Sequence, residues 1–290
     1  MDHEIWKVLS DAVRSADRSV PRTGRAKSYS DRQIVRMYLW AVWHDRPMCW
    51  ACSRDAYSSR FRPRVLPSVS QFSRRLRSTR VGAMIERVGA RLADRGGRTR
   101  LAFLDGKALP VSESSADPDA RTGRGNGRFS RGYKVHALCD SSRKIRRFWL
   151  TPMNEGEPTV ARERLAPGVT PGSVVLADAN YDGRKLYDAI DERGATLFTP
   201  QRRRHDTEGG MARTCVARRR AMERWRDDPE GSRKLYAQRS AVERVFSALT
   251  TFGGGLSPLP AWVRRIGRVR RWVTAKIAIY NARVEVGGAR

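Results

Sequence analysis

At about residue 100 the hydrophobic pattern of this chain changes period, and that change limits the fold to an all-helical segment followed by an α/β one. Before it, apolar residues recur at helical spacing. In IVRMYLWAVWH, Ile34, Met37, Tyr38, Ala41 and Val42 fall on one face, and Ser30-Asp31-Arg32-Gln33 ahead of them has the form of a capping box, so a buried helix is expected. A second start is read in LPSVSQFSRRLRS, where Pro67 and Ser68 or Ser70 precede Phe72 and Leu76. Arg74, Arg75, Arg77 and Arg80 surround that apolar stripe. Such a helix could lie against a polyanion as the second helix of a helix-turn-helix does, or simply present a solvated basic face.

After residue 100 short apolar runs predict strands at 100–105, 133–140, 144–150, 173–178 and 195–199. Helices are expected near 159–166 and 183–193, with a long one from about 234 to 250. Two of the strands end in a carboxylate: LAFLDGKAL stops at Asp105, followed by Gly106 and Lys107, and SVVLADANYD stops at Asp178. A charge closing an apolar run is tolerable only at a polar edge where solvent or cations reach it, so the two tips point to a shared site. Between the first two strands, ESSADPDARTGRGNGRFSRG reads as a loop, and its GRGNG is no phosphate cradle because a strand, not a helix, follows. An Arg-rich insertion at about 201–233 holds ten arginines without apolar periodicity and is expected to be polar and partly ordered.

Three antiparallel strands followed by a fourth strand, a helix and a fifth match the ribonuclease H-like order, a mixed sheet flanked by helices, here behind an all-α N-terminal region. In that order the first and fourth strands are neighbours, which brings Asp105 and Asp178 within reach of a common ion. Hard oxygen ligands of this kind suit Mg²⁺. The third carboxylate is sought in KLYAQRSAVERVFSAL, where Tyr236, Arg239 and Glu243 stand at i, i+3 and i+7, within an arc of roughly 60° on a regular helix. Without further information these three would be a core tyrosine and a surface ion pair.

The 58 Lys and Arg against 30 Asp and Glu leave a formal charge of +28, so the expected partner is a polyanion, nucleic acid first. Fifty of the 58 are arginines, which suits phosphate and guanine edges but also follows from a GC-rich genome. No stretch approaches 18 consecutive apolar residues, and MDHEIWKVLS has no secretory pattern, so no membrane association and a cytoplasmic location are expected. Cys49 and Cys52 form a C-x-x-C, but the second pair that a zinc ribbon needs is missing, and Cys139 and Cys215 are isolated; reduced thiols are expected.

The helix at 234–250 carries Y-x2-R-x3-E, and here the chain resembles the bacterial insertion-sequence transposases of the DDE type whose C-terminal signature is Y-x2-R-x3-E-x6-K. The resemblance extends over PSVSQFSRRLR, DGK at 105–107, GYKVHALCD at 132–140, TPMNEGEPTVAR at 151–162 and LADANYD at 176–182. It implies Asp105, Asp178 and Glu243 as catalytic, metal-binding carboxylates, with Tyr236 and Arg239 near DNA, where Arg74, Arg75, Arg77 and Lys107 are further candidate contacts. It implies Mg²⁺ or Mn²⁺, two ions, and metal-dependent cleavage at element ends followed by strand transfer into target DNA. Double-stranded DNA, as terminal inverted repeats and target, is the implied partner, bound by a homodimer. The rival expectations are an inactive DNA-binding derivative and a nuclease that cuts without joining. The sequence departs from the signature at its end, where Thr250 replaces the lysine; Lys276 and Arg244 are possible substitutes.

The expected division is a helical DNA-binding region at 1–95 and a ribonuclease H-like domain at 96–290. Within the latter, His136 is read as a core histidine or an orienting group, Asp140 as a nearby competitor, and Asp182 as the N-cap before GRKLYDAI. In WVRRIGRVRRWVTAKIAIYNARV, Trp262, Ile266, Val269, Val273 and Ile277 are expected on a core face, with Arg264, Arg265, Arg268, Arg270 and Arg271 opposite.

Overall fold

The computed structural model describes residues 3–21, 28–58, 61–97, 99–125, 127–201, 214–251, 256 and 259–287. The chain forms two compact units, Met1–Arg95 with Leu249–Arg290, and Gly96–Ala248. The expected domain had run from 96 to 290, whereas residues from Leu249 onward group with the N-terminal helices.

In the helical unit, α1 (His3–Ser19), α2 (Asp31–Trp43) and α4 (Thr79–Asp94) pack against a C-terminal helix, Ile266–Gly287, and α3 (Val69–Leu76) packs on α2 and α4. The five apolar positions expected on α2 are all buried. Ser30 caps α2 by accepting the Gln33 N–H at 3.1 Å, but the Gln33 side chain donates to the Val65 carbonyl, so the reciprocal half of the box is absent. At α3 the box closes, with Ser68 as cap and Gln71 as its partner. A helix-turn-helix with α3 as its second member needs a turn of three or four residues. Residues 44–68 separate α2 from α3 instead, so that motif is not formed.

The C-terminal helix differs from the expected amphipathic stripe. From Trp272 to Ala282 every residue is buried, because helices pack on several of its sides, while the arginines fall before it and in its first turns. Trp262 precedes the helix and is 39% exposed rather than core.

The second unit holds a six-stranded sheet: β1 (Leu101–Pro110), β2 (Arg121–Gly125), β3 (Arg128–Asp140), β4 (Ile145–Pro152), β5 (Val174–Leu176) and β6 (Thr196–Phe198). The order is β2-β3-β1-β5-β6, with β4 paired to β3. β1 is antiparallel to β3 and parallel to β5, and β5 is parallel to β6, as the crossover through α5 (Glu157–Val160) and α6 (Arg184–Asp191) requires. Two expectations change here. β1 does not end at Asp105 but runs on to Pro110, because β3 continues beside it and pairs through Gly132. The segment read as a loop contains β2, whose glycine marks a close approach: a Cβ on Gly123 would stand 2.3 Å from the Met153 carbonyl oxygen.

The Arg-rich insertion is also more ordered than expected. Residues 202–213 lie outside the described residues, but α7 (Val216–Asp227) is a helix that buries Ala221 and Met222. α8 (Pro229–Ala237) follows, capped by Asp228, and then α9 (Ser240–Thr251), so the single helix expected at 234–250 is two. At the break the backbone bonds shorten to i→i−3: Arg239 N–H to Tyr236, Ala241 N–H to Gln238 and Val242 N–H to Arg239.

Candidate active site

Strand register brings the first two carboxylates together. Phe103 of β1 pairs with Leu176 of β5, and both strands run the same way. Asp105 and Asp178 each lie two residues further on, so they stand abreast on neighbouring chains that a sheet holds about 4.8 Å apart. Asp105 Oδ1 accepts the Gly106 N–H at 2.9 Å. Asp178 Oδ1 accepts the Asn180 N–H at 2.8 Å and so caps the short 3₁₀ turn Ala179–Tyr181.

The third carboxylate, Glu243, lies in the first turn of α9, just after the break between α8 and α9. There Arg239 turns its guanidinium toward the sheet, with Nη2 at 3.5 Å from Asp105 Oδ1 and 3.8 Å from Asp178 Oδ2. Its Nη1 is 3.4 Å from Glu243 Oε1. One cation therefore touches all three acidic side chains. Asp105 is mostly buried, and that burial pushes its pKa up to about 6; Arg239 and the Gly106 N–H pull it down, while Asp178 and Glu157 push it further up. Tyr236, also raised chiefly by burial, does not continue the Arg239–Glu243 face. It sits on α8 and packs edge-on against Trp225, ring centres 6.0 Å apart.

Sequence reasoning missed a fourth carboxylate. Glu157 opens α5, where Lys134 Nζ donates to its Oε1 at 2.7 Å and Asn180 Nδ2 to its Oε2 at 3.3 Å. Burial alone would raise its pKa, but the Lys134 ammonium outweighs that and holds it below the usual carboxylate value. The signal was present in TPMNEGEPTVAR, where Glu157 precedes a proline at a helix start. An open cavity of about 680 Å³ borders the group, lined by Arg124, Phe129, Lys134, Glu157, Asp178 and Asn180.

The other candidates are placed as follows. His136 is fully buried, bonds Thr151 Oγ1 at 2.9 Å, and has its pKa pushed down to about 4 by burial. Asp182 is not a helix cap: it forms a bidentate pair with Arg218 of α7 at 2.6 and 2.8 Å, and Gly183 takes the N-cap position of α6. Asp140 is held by Arg146 and Ser142 at the β3–β4 turn. Lys107 is half-buried on β1, level with Val135 of β3. In the helical unit Arg74 is exposed on α3 and Arg77 at its C-cap, whereas Arg75 is paired with Asp31 and donates to the Tyr29 carbonyl. Lys276, considered as a replacement for the motif lysine, is buried in the helical unit, paired with Asp45 and set over the Trp272 ring. Arg244 is exposed on α9.

Three hard-oxygen side chains gathered around one positive charge fit a divalent cation in donor chemistry. Among the described residues no three acidic, histidine or cysteine side chains are grouped closely enough to ring an ion directly, since the Arg239 guanidinium occupies the space between these carboxylates.

A mixed sheet with one aspartate on a central strand, a second just beyond the parallel strand beside it, and a glutamate on a later helix is a ribonuclease H-like arrangement. Residues 96–281 match the family model described as the transposase DDE domain, and the chain belongs to that family, whose members use divalent metal ions. It is 26% identical over 227 residues to the transposase for insertion sequence element IS1106 of Neisseria meningitidis serogroup B, covering 75% of this chain and 70% of that one. Its fold is similar to that of the piggyBac transposase in a synaptic complex with hairpin DNA, at a TM-score of 0.52 and 10% identity, over 99% of this chain and 73% of that chain.

Proposed function

We propose that this DDE transposase cuts double-stranded DNA at the terminal inverted repeats of its element and joins the freed 3′ ends to target DNA, acting as a homodimer in the bacterial cytoplasm. The observation that carries the reading is the convergence of Asp105, Asp178 and Glu243 on the Arg239 guanidinium. These three carboxylates would hold Mg²⁺ or Mn²⁺, two ions. When bound, the ions supply the charge that activates the attacking oxygen and stabilises the leaving oxygen of an in-line displacement.

The chain's own groups do the rest. Asp105, whose pKa burial raises to about 6, is ionised above that pH, where Arg239 pairs with it and a cation would take that guanidinium's place. Arg239 offers a guanidinium fork matched to phosphate, and Tyr236 and Lys107 lie on the elements flanking the carboxylates. Arg74, Arg75 and Arg77 extend DNA contact to the helical unit. Arg75 is the weakest of these, since its charge is already engaged by Asp31.

The test is Mg²⁺-dependent cleavage of DNA carrying the element's ends. Asp105→Asn, Asp178→Asn and Glu243→Gln should each lose at least roughly 10³-fold while still binding DNA, and a double variant should be little worse than a single one. Full cleavage by Asp105→Asn would remove the assignment. Cleavage without joining would leave a nuclease, and inactivity of the natural chain restored by Thr250→Lys would leave a decayed transposase.

A further inference from the structure

The carboxylate that sequence reasoning missed has a position of its own in this geometry. Glu157 comes from α5, between β4 and β5, yet it touches three other chain segments, two of which carry Asp105 and Asp178. From β3, Lys134, with a side chain only 8% exposed, donates to one carboxylate oxygen at 2.7 Å. From the turn after β5, Asn180 donates to the other at 3.3 Å. From β1, Gly106 lies directly beneath: a Cβ there would stand 2.9 Å from the Glu157 carboxyl carbon, so the residue after Asp105 must lack a side chain for Glu157 to sit where it does. The same Asn180 gives its backbone N–H to Asp178. Through one residue Glu157 is therefore tied to the turn that aims Asp178, and through another it rests on the strand that carries Asp105.

We propose that Glu157 is a positioning residue of the transposase site, a strut that fixes the Asp178-bearing turn against the Asp105-bearing strand. This rests on the reading of Asp105 and Asp178 as the working carboxylates and adds to it. Lys134 is the anchor. Its buried ammonium keeps Glu157 ionised and in place, so that both carboxylate oxygens accept hydrogen bonds, one from each side. An amide fits this arrangement less well: glutamine has one acceptor oxygen and one donor nitrogen, so with its oxygen on Lys134 its nitrogen meets the Asn180 amide, which must turn over to accept, and the charge that Lys134 pairs with is lost. Residues that orient ligands without touching the ion commonly change metal affinity or activity by about 10- to 100-fold when altered.

The experiment uses the full chain with Glu157→Gln, Asn180→Ala, the double variant and Gly106→Ala, beside Asp105→Asn as control. Mn²⁺ binding to the protein alone is followed by electron paramagnetic resonance, and amide exchange of residues 178–182 is measured in chelator. Asn180 is exposed and its replacement alters no charge, so that variant keeps its fold even if Glu157→Gln does not. We expect Asn180→Ala and Glu157→Gln each to weaken Mn²⁺ binding by roughly tenfold or more, and the double variant to be no weaker than the worse single one, because both break one chain of contacts. Gly106→Ala, which displaces the carboxylate while keeping every charge, should match them, and all of them should speed exchange in 178–182. Wild-type Mn²⁺ binding by Asn180→Ala and Gly106→Ala, or losses that simply add, would show that Glu157 acts by its charge and would overturn the proposal. Unchanged exchange in chelator would overturn it independently of any metal. If Asp105→Asn binds Mn²⁺ like wild type while the exchange result holds, the reading of the carboxylates fails and the strut stands.

Discussion

Burial holds the Asp105 carboxyl protonated further up the pH scale than an exposed aspartate, and the sign of its contribution to stability follows. Its pKa is near 6 in the folded chain against 3.8 for the unperturbed group. Between those values the folded state keeps a proton that the unfolded state has released. The resulting stability is fully present below about pH 4 and is lost as the pH rises through 6. Asp105→Asn should therefore stabilise the metal-free protein above pH 6, by up to about 3 kcal/mol, and have progressively less effect towards pH 4. Thermal melts of both proteins in chelator from pH 4 to 8 check this, and a difference that stays constant over that range would contradict it. Arg239 supplies the complementary case. Without its guanidinium three carboxylates face one another, so Arg239→Ala should cost the metal-free protein roughly 1–3 kcal/mol. Added Mg²⁺ should then raise its melting temperature by more than it raises that of wild type. An equal rise in both would mean that the guanidinium and the cation do not share a place.

At the scale of elements, α7 depends on a buried ion pair that no pattern of apolar residues announces. Arg218 and Asp182 have side chains 5% and 0% exposed and join α7 to the turn just beyond Asp178. Asp182→Asn leaves a buried guanidinium without its counter-charge and should destabilise the fold by about 3–5 kcal/mol in a denaturant titration. A loss below 1 kcal/mol would mean that water reaches the pair. The same feature explains what was legible in the sequence. Strands such as Leu101–Leu104 and Val174–Leu176 were readable because their neighbours bury them on both faces, and the adjacency of β1 and β5 followed from element order. α7 was not, because an arginine turned inward erases the apolar stripe on which a helix is recognised. β2 was hidden by glycines that serve close packing rather than a turn. The break at Gln238–Arg239 was hidden because helix formers surround it; what bends the chain is tertiary, the guanidinium reaching for Asp105 and Asp178. Three of the four acidic side chains at the site were found from strand ends and a motif. Glu157 was passed over because its role depends on Lys134 and Asn180, distant in sequence.

At the scale of the whole molecule the dominant quantity is the charge of +28, and it bears on the partner rather than on the fold. Part of that charge is spent internally: Arg80, 6% exposed, pairs with Asp17 and Asp31, and Arg75 shares Asp31. Arg74 on α3 and Arg77 at its C-cap remain exposed. If the protein neutralises around six phosphates, counterion release makes its affinity for DNA fall by about 10³-fold or more between 50 and 200 mM salt. Arg74→Gln and Arg77→Gln should each weaken binding uniformly across DNA sequences and lower the slope of log affinity against log salt by about 1, while Arg75→Gln should instead reduce the stability of the helical unit, since it breaks a partly buried pair. Fluorescence anisotropy titrations over that salt range, with melts of each variant, separate the two effects. Affinity that hardly changes with salt would remove DNA as the partner, and a slope unaltered by Arg74→Gln and Arg77→Gln would take α3 out of the interface while leaving the carboxylate site untouched.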